Sequence, residues 1–220
     1  MNNSQIRAAL VQRFRSYLNR NRQRYKHHTE PDGTVLLRYT KLLPCQVHQV
    51  DIMILIRHSA YHLYGILPFT VPTADPVRTG RLLELLNHIN HDLTNGCVEM
   101  NPESGCLHCR IYGDCEGGAL PTDGVIHNGL LTIDYILIKF GSALTQVLFG
   151  DTQRPVAELV KQCRHHFRIA LLEQALRSAA DAHTPLEEFA ENLAALTDEV
   201  PSPEADGSAP PVDRDIASGE

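Results

Sequence analysis

The chain has 220 residues, 43% hydrophobic and 21% charged, which suits a globular protein of one domain with appendages or two small ones. Its net charge of -6 argues against a nucleic-acid binder as the first reading, and six cysteines in a chain of this length do not make a disulfide scaffold. Met1-Asn2-Asn3-Ser4-Gln5 is polar with no apolar run behind it, and the apolar stretch Leu130–Phe149 is interrupted by Asp134, Lys139 and Gln146, so we expect neither a leader nor a membrane span. A cytoplasmic protein with reduced thiols is the resulting expectation.

Ser4 to Asn21 is predicted as a helix, with Ile6, Leu10, Phe14 and Leu18 at four-residue spacing and Tyr17 alongside. Between Arg7 and Lys26 the chain carries seven bases and no acid. The reverse holds at the other end, where Asp198 to Glu220 carries seven acids and only Arg214 as a base. A basic surface and an acidic tail follow: either a solvated helix face with a disordered tail, or a site for an anionic partner with Arg13, Arg20, Arg22 and Arg24 as candidate contacts and the tail as an internal competitor.

Four strands come next: Tyr25–Thr29, Thr34–Thr40, Val50–Ile56 and Tyr61–Leu67. Pro31-Asp32-Gly33 and Ser59-Ala60 supply the turns, so an antiparallel meander is predicted. Val50–Ile56 is almost wholly apolar and reads as a central strand covered on both faces. Asp75 then caps a helix with Pro76 in its first turn, and Leu82, Leu86, Ile89 and Leu93 form its stripe. Asn95-Gly96 reads as the left-handed stop. A hairpin follows, Cys97–Asn101 and Cys106–Tyr112, in which Leu107, Cys109 and Ile111 face one way and Cys106, His108 and Arg110 the other. After a glycine-containing loop, Thr122 or Asp123 opens a long helix that Gly150 ends.

Residues 151–200 read as a helical extension. Asp151 or Thr152 caps a first helix, and Thr184-Pro185-Leu186-Glu187 is a capping box before a second, with Phe189, Leu193 and Leu196 inward. From 201 to 220 the composition turns to proline, serine, alanine, glycine and acid, and we expect disorder.

The order of these elements carries a resemblance. Helix, antiparallel strands, helix, hairpin and long helix over Ser4–Gly150 resembles the YbjN-like proteins, which share the fold of type III secretion chaperones. The local match is Leu82-Leu83-Glu84-Leu85-Leu86-Asn87-His88-Ile89-Asn90, two asparagines three apart, followed by Thr94-Asn95-Gly96-Cys97-Val98-Glu99-Met100. The resemblance implies an α+β domain over 1–150 with a meander sheet and flanking helices. It implies a non-enzymatic, regulatory bacterial protein that dimerises and binds an extended segment of another protein over its sheet. It supplies no catalytic residues, cofactor or metal.

Two sets of side chains are open to alternative readings. Asn87 and Asn90 either bond to neighbouring backbone, ending the helix and holding the next strand, or offer amides to a partner. Cys97, Cys106, Cys109 and Cys115 crowd one hairpin with the C-x2-C spacing of a zinc knuckle. On a strand, however, residues three apart face opposite ways. A thiol-based metal or redox protein, including a Cys106–Cys115 switch, is the alternative to a binding protein. For an enzyme we find no G-x-S-x-G, H-E-x-x-H, Walker loop or dinucleotide fingerprint.

Overall fold

The computed structural model describes residues 2–71 and 74–181. It is an α+β structure whose elements run α1 (Asn3–Arg20), β1 (Lys26–Thr29), β2 (Val35–Leu42), β3 (Gln49–Arg57), β4 (Ala60–Thr70), α2 (Pro76–His91), β5 (Cys97–Met100), β6 (Cys106–Asp114), α3 (Asp123–Phe149) and α4 (Val156–Asp181). The first compact unit is Met1–Ala170, and a second begins at Leu171 inside α4. The helix after Gly150 runs within the first unit from Val156 to Ala170. The capping box at Thr184 and the segment from Pro201 lie outside the described residues.

The meander of four strands is present, and the hairpin joins it. Strand order is β1-β2-β3-β4-β6-β5, every neighbouring pair antiparallel. β6 pairs with β4 through Leu63↔Ile111 and Gly65↔Cys109, so β5 becomes the far edge. A two-stranded hairpin such as β5–β6 is marginal alone in water, and the β4 edge gives it a third strand.

All the helices that touch the sheet pack on one face. α1 inserts Ile6, Leu10, Phe14 and Leu18, and the Phe14 and Tyr61 rings meet edge-on at 5.0 Å. Each such fully buried side chain contributes about 1.5–3 kcal/mol by leaving water. α3 lies close on β4, because a Cβ on Gly65 would fall inside the Ile133 side chain, and one on Gly129 would sit 2.6 Å from Leu63. α4 packs on the far side of α3: Tyr135 and Phe167 stack edge-on at 5.1 Å, and Ser142 Oγ lies 3.0 Å from Cys163 Sγ. Covered from two sides, α3 is the one helix among the described residues long and apolar enough to cross a membrane, and 56% of its most apolar window is buried inside the protein.

Two expectations are corrected. Val50–Ile56 is covered on one face only: Val50, Ile52, Ile54 and Ile56 are buried, while Asp51, Met53 and Leu55 are half-buried. Its apolar character on both sides had the pattern of a doubly covered strand. The α2 helix ends at His91 with Asp92 as its C-cap, before Asn95-Gly96. Gly96 does take a left-handed conformation, φ 83°, but it serves the turn into β5. Up to Ala170, α4 makes its contacts with Asp92 at the end of α2 and with Tyr135 and Ser142 of α3.

Candidate binding surface

Strand alternation sends every second side chain away from the helices. Register then assembles those side chains into rows. Leu36, Leu55, His62 and Tyr112 form one row; Arg38, Met53, Tyr64, Arg110 and Cys97 the next; Thr40, Asp51, Ile66, His108 and Glu99 a third. Within Met1–Ala170 no described element covers these rows. The centre is apolar and aromatic, with Leu55, Met53, Tyr64 and Ile66 half-buried. His62 lies 5.0 Å from the Tyr112 ring and 5.7 Å from Tyr64, and Tyr64 meets His108 edge-on at 5.4 Å. The His62 Nδ1 is buried with no partner among the described residues, and burial lowers the pKa of its imidazole.

Ion pairs flank this centre. On one side Asp51 accepts from Arg38 and, at 2.7 Å, from Thr40 Oγ1. On the other, Arg110 donates to both Glu99 oxygens at 3.0 and 2.5 Å, with His108 Nε2 at 3.2 Å and the Cys97 thiol donating at 3.3 Å. The Arg110 guanidinium, reinforced by the Cys97 and His108 bonds, holds the Glu99 carboxyl down at about 2. Both charge pairs are satisfied within the sheet, so they frame the apolar centre without demanding a counter-ion.

The four hairpin cysteines do not converge. Cys97 and Cys106 lie on the open face, Cys109 is buried on the helix face, and Cys115 is buried beyond the end of β6. Cys106 and Cys115 are separated by the whole length of that strand, roughly 30 Å at 3.3 Å per residue. Burial pushes the Cys109 thiol up to about 12 and also raises Cys97 and Cys115, so these are protonated sulfurs and poor nucleophiles. Among the described residues no group of three or more His, Cys, Asp or Glu side chains is arranged so that it could hold a metal ion.

The arginines divide. Arg13 Nε donates to the Pro121 carbonyl at 2.8 Å and its guanidinium lies 3.1 Å from Asp123. Arg20 donates to the same carboxylate at 2.7 and 2.5 Å. These two tie α1 to the start of α3. Arg22 and Arg24 are exposed, and Arg24 lines a cleft of about 510 Å³ with Tyr25, Lys26, Arg38, Thr40 and Asp51, at the β1 rim of the open face.

The asparagines divide as well. Asn87 is exposed. Asn90 accepts from the Val98 N–H at 2.7 Å and donates to the Val98 carbonyl at 3.1 Å. One amide side chain thus takes the place of a seventh strand and plugs the β5 edge. Sequence reasoning missed Met53, Leu55, His62, Tyr64 and Tyr112. A signal was present for His62, Tyr64 and Tyr112, as polar or amphipathic residues at alternate positions of β4 and β6, but not for the apolar Met53 and Leu55 of β3.

Comparison with protein-family models, curated proteins and solved structures returns no match to this chain.

Proposed function

We propose that this is a non-catalytic regulatory protein, YbjN-like and built as a secretion-chaperone-like α+β unit, that binds an extended segment of another protein over its open sheet face. One observation carries the reading. A six-stranded sheet has its helices on one side, and its other side offers a half-exposed apolar centre, framed by self-satisfied ion pairs. Apolar surface of this kind supplies the driving force for association, while satisfied flanking charges set register and exclude wrong partners. Face docking is favoured over strand addition. Asn90 occupies the β5 edge, and β1 is a short edge of four exposed residues that includes Lys26, a common guard against pairing. The same face on a second copy would give a homodimer.

Quantitative co-purification from the native cell tests the proposal, comparing three full-length chains: unsubstituted, Tyr64→Glu and Leu83→Glu. Tyr64 sits at the centre of the open face, and Leu83 is 48% exposed on α2, away from it. A charge in the centre of a docking site should weaken a specific partner by about 10- to 100-fold, as for an interface hot spot. The expected result is a partner retained by Leu83→Glu and lost by Tyr64→Glu. A partner retained equally by both would remove the open face as its binding surface.

A further inference from the structure

The net charge of -6 is not shared evenly along the chain, because Met1–Ala170 holds 18 bases against 14 acids. Seven of those 18 bases make neither an ion pair nor a side-chain hydrogen bond among the described residues, and five of the seven are Arg7, Arg15, Arg22, Arg24 and Lys26. The acids near them are engaged elsewhere. Glu30 lies 3.3 Å from His28, Asp32 lies 3.7 Å from Arg57, and Asp51 accepts from Arg38 and Thr40. Arg13 and Arg20, on the same helix, are matched by Asp123.

The five bases form one band along α1 and β1. A Cβ on Gly33 would fall 2.5 Å from the Arg7 guanidinium, which places that arginine against the β1–β2 turn. Arg15 reaches toward β1, where burial and then the Arg15 charge lower the pKa of the His27 imidazole. Both arginines are half-buried, and the Arg15 Nε is buried with no partner among the described residues. Partly desolvated cations without a counter-charge cost stability, so this band is more than a solvated face. Arg22, at φ 53°, lies in the turn from α1 to β1, and Arg24 and Lys26 stand in the wall of the cleft of about 510 Å³ with Tyr25 between them in the chain.

We propose that this band binds single-stranded nucleic acid, with Arg7, Arg15, Arg22, Arg24 and Lys26 on the phosphates and Tyr25 under a base. Guanidinium forks match phosphate oxygens, and a cationic groove with an aromatic platform is the arrangement that holds single strands. Tyr25 is half-buried in the cleft wall, so its ring is ordered before a base arrives. An acidic protein segment would use the cations and leave that ring idle. An anionic membrane surface calls for apolar side chains beside the bases, and the exposed large apolar side chains among the described residues begin only at Leu42. The proposal goes beyond the reading of the open face and does not rest on it.

Fluorescence anisotropy of a labelled mixed-sequence RNA of about 20 nucleotides, titrated with the full-length protein, tests it. Five phosphate contacts on a single strand predict a slope of about -3.5 for log K against log salt, a loss of roughly 100-fold between 50 and 200 mM. Arg24→Gln with Lys26→Gln, both exposed, should weaken binding by about tenfold or more at 50 mM salt and bring the slope to about -2.1. Arg13→Gln with Arg20→Gln removes the same charge from the Asp123 side and should leave the slope unchanged. Tyr25→Leu should weaken binding by about tenfold without changing the slope. No binding at 50 mM salt would overturn the proposal, as would equal effects of the two double variants. An unchanged affinity in Tyr25→Leu, with polyglutamate displacing the RNA, would reassign the band to an acidic protein. Binding to phosphatidylserine vesicles but not to RNA would reassign it to a membrane. Either reassignment overturns the nucleic-acid proposal. Tyr64 lies outside the band, so partner loss in Tyr64→Glu is a separate result.

Discussion

Replacing Asp92 by alanine should destabilise the protein by about 3 kcal/mol, the low end of the range for breaking a buried ion pair from one side. Asp92 caps α2 and is 15% exposed at its side chain; Lys139 from α3, at 3.0 Å, is 11% exposed, and Arg164 from α4 closes the group at 2.6 Å. One carboxylate thus holds three helices together. Without it the Lys139 ammonium stays buried with only the Tyr135 hydroxyl, at 2.8 Å, and the faces of the Tyr135 and Phe140 rings for partners. Those contacts keep the loss at the low end of the range. Asp123→Ala is the contrast. Its carboxylate joins Arg13 and Arg20 in the open, 45% exposed, where such pairs contribute about 0–1 kcal/mol. Urea titration of the two variants should separate them clearly, and equal losses would contradict this ranking.

The same group sets an acid limit. Burial alone would raise the Asp92 pKa, but the bonds from Arg164 and Lys139 prevail and lower it. A carboxyl depressed in the folded state contributes stability above its unfolded pKa, about 3.9, and loses it as pH falls through the folded value. Asp92→Ala should therefore show a shallower loss of stability between about pH 5 and pH 2 than the unsubstituted chain.

Asn90→Leu is expected to act in two ways. It leaves the Val98 N–H and carbonyl without partners at a residue 1% exposed, which costs about 1–3 kcal/mol for each group that water cannot reach. It also reopens the β5 edge. A bare edge invites strand pairing between chains, so concentration-dependent growth in light scattering should accompany the loss of stability. Asn87→Leu, on an exposed side chain of the same helix, should do neither. A monomeric Asn90→Leu as stable as Asn87→Leu would contradict the edge-plug role.

These features differ in how far they could be read from residues alone. Helical stripes were legible because burial on one side imposes a 3.6-residue period: Ile6, Leu10, Phe14 and Leu18 are all buried in α1. The inward–outward split of Leu107 and His108 was legible for the same reason with period two. The joining of the hairpin to the meander was not, because strand neighbours distant in sequence leave no local mark on β4 or β6. The open face was hidden by its own composition, since Met53 and Leu55 look like core until the missing second layer is known. Asp92, Lys139 and Arg164 come from three helices, and no spacing rule links them. Asn90 was visible as a candidate, but its two bonds to Val98 depend on how α2 meets β5.

The open face is the centre of the account, and a single side chain reports on it. The chain has three methionines, Met1, Met53 and Met100; Met53 lies in the centre of the open face, and Met100 packs against the core on the other side. A chain labelled with [13C-methyl]methionine, titrated with the partner that Leu83→Glu retains, should shift or broaden the Met53 methyl resonance and leave Met100 in place. A saturated complex in which Met53 does not move would contradict binding over the sheet.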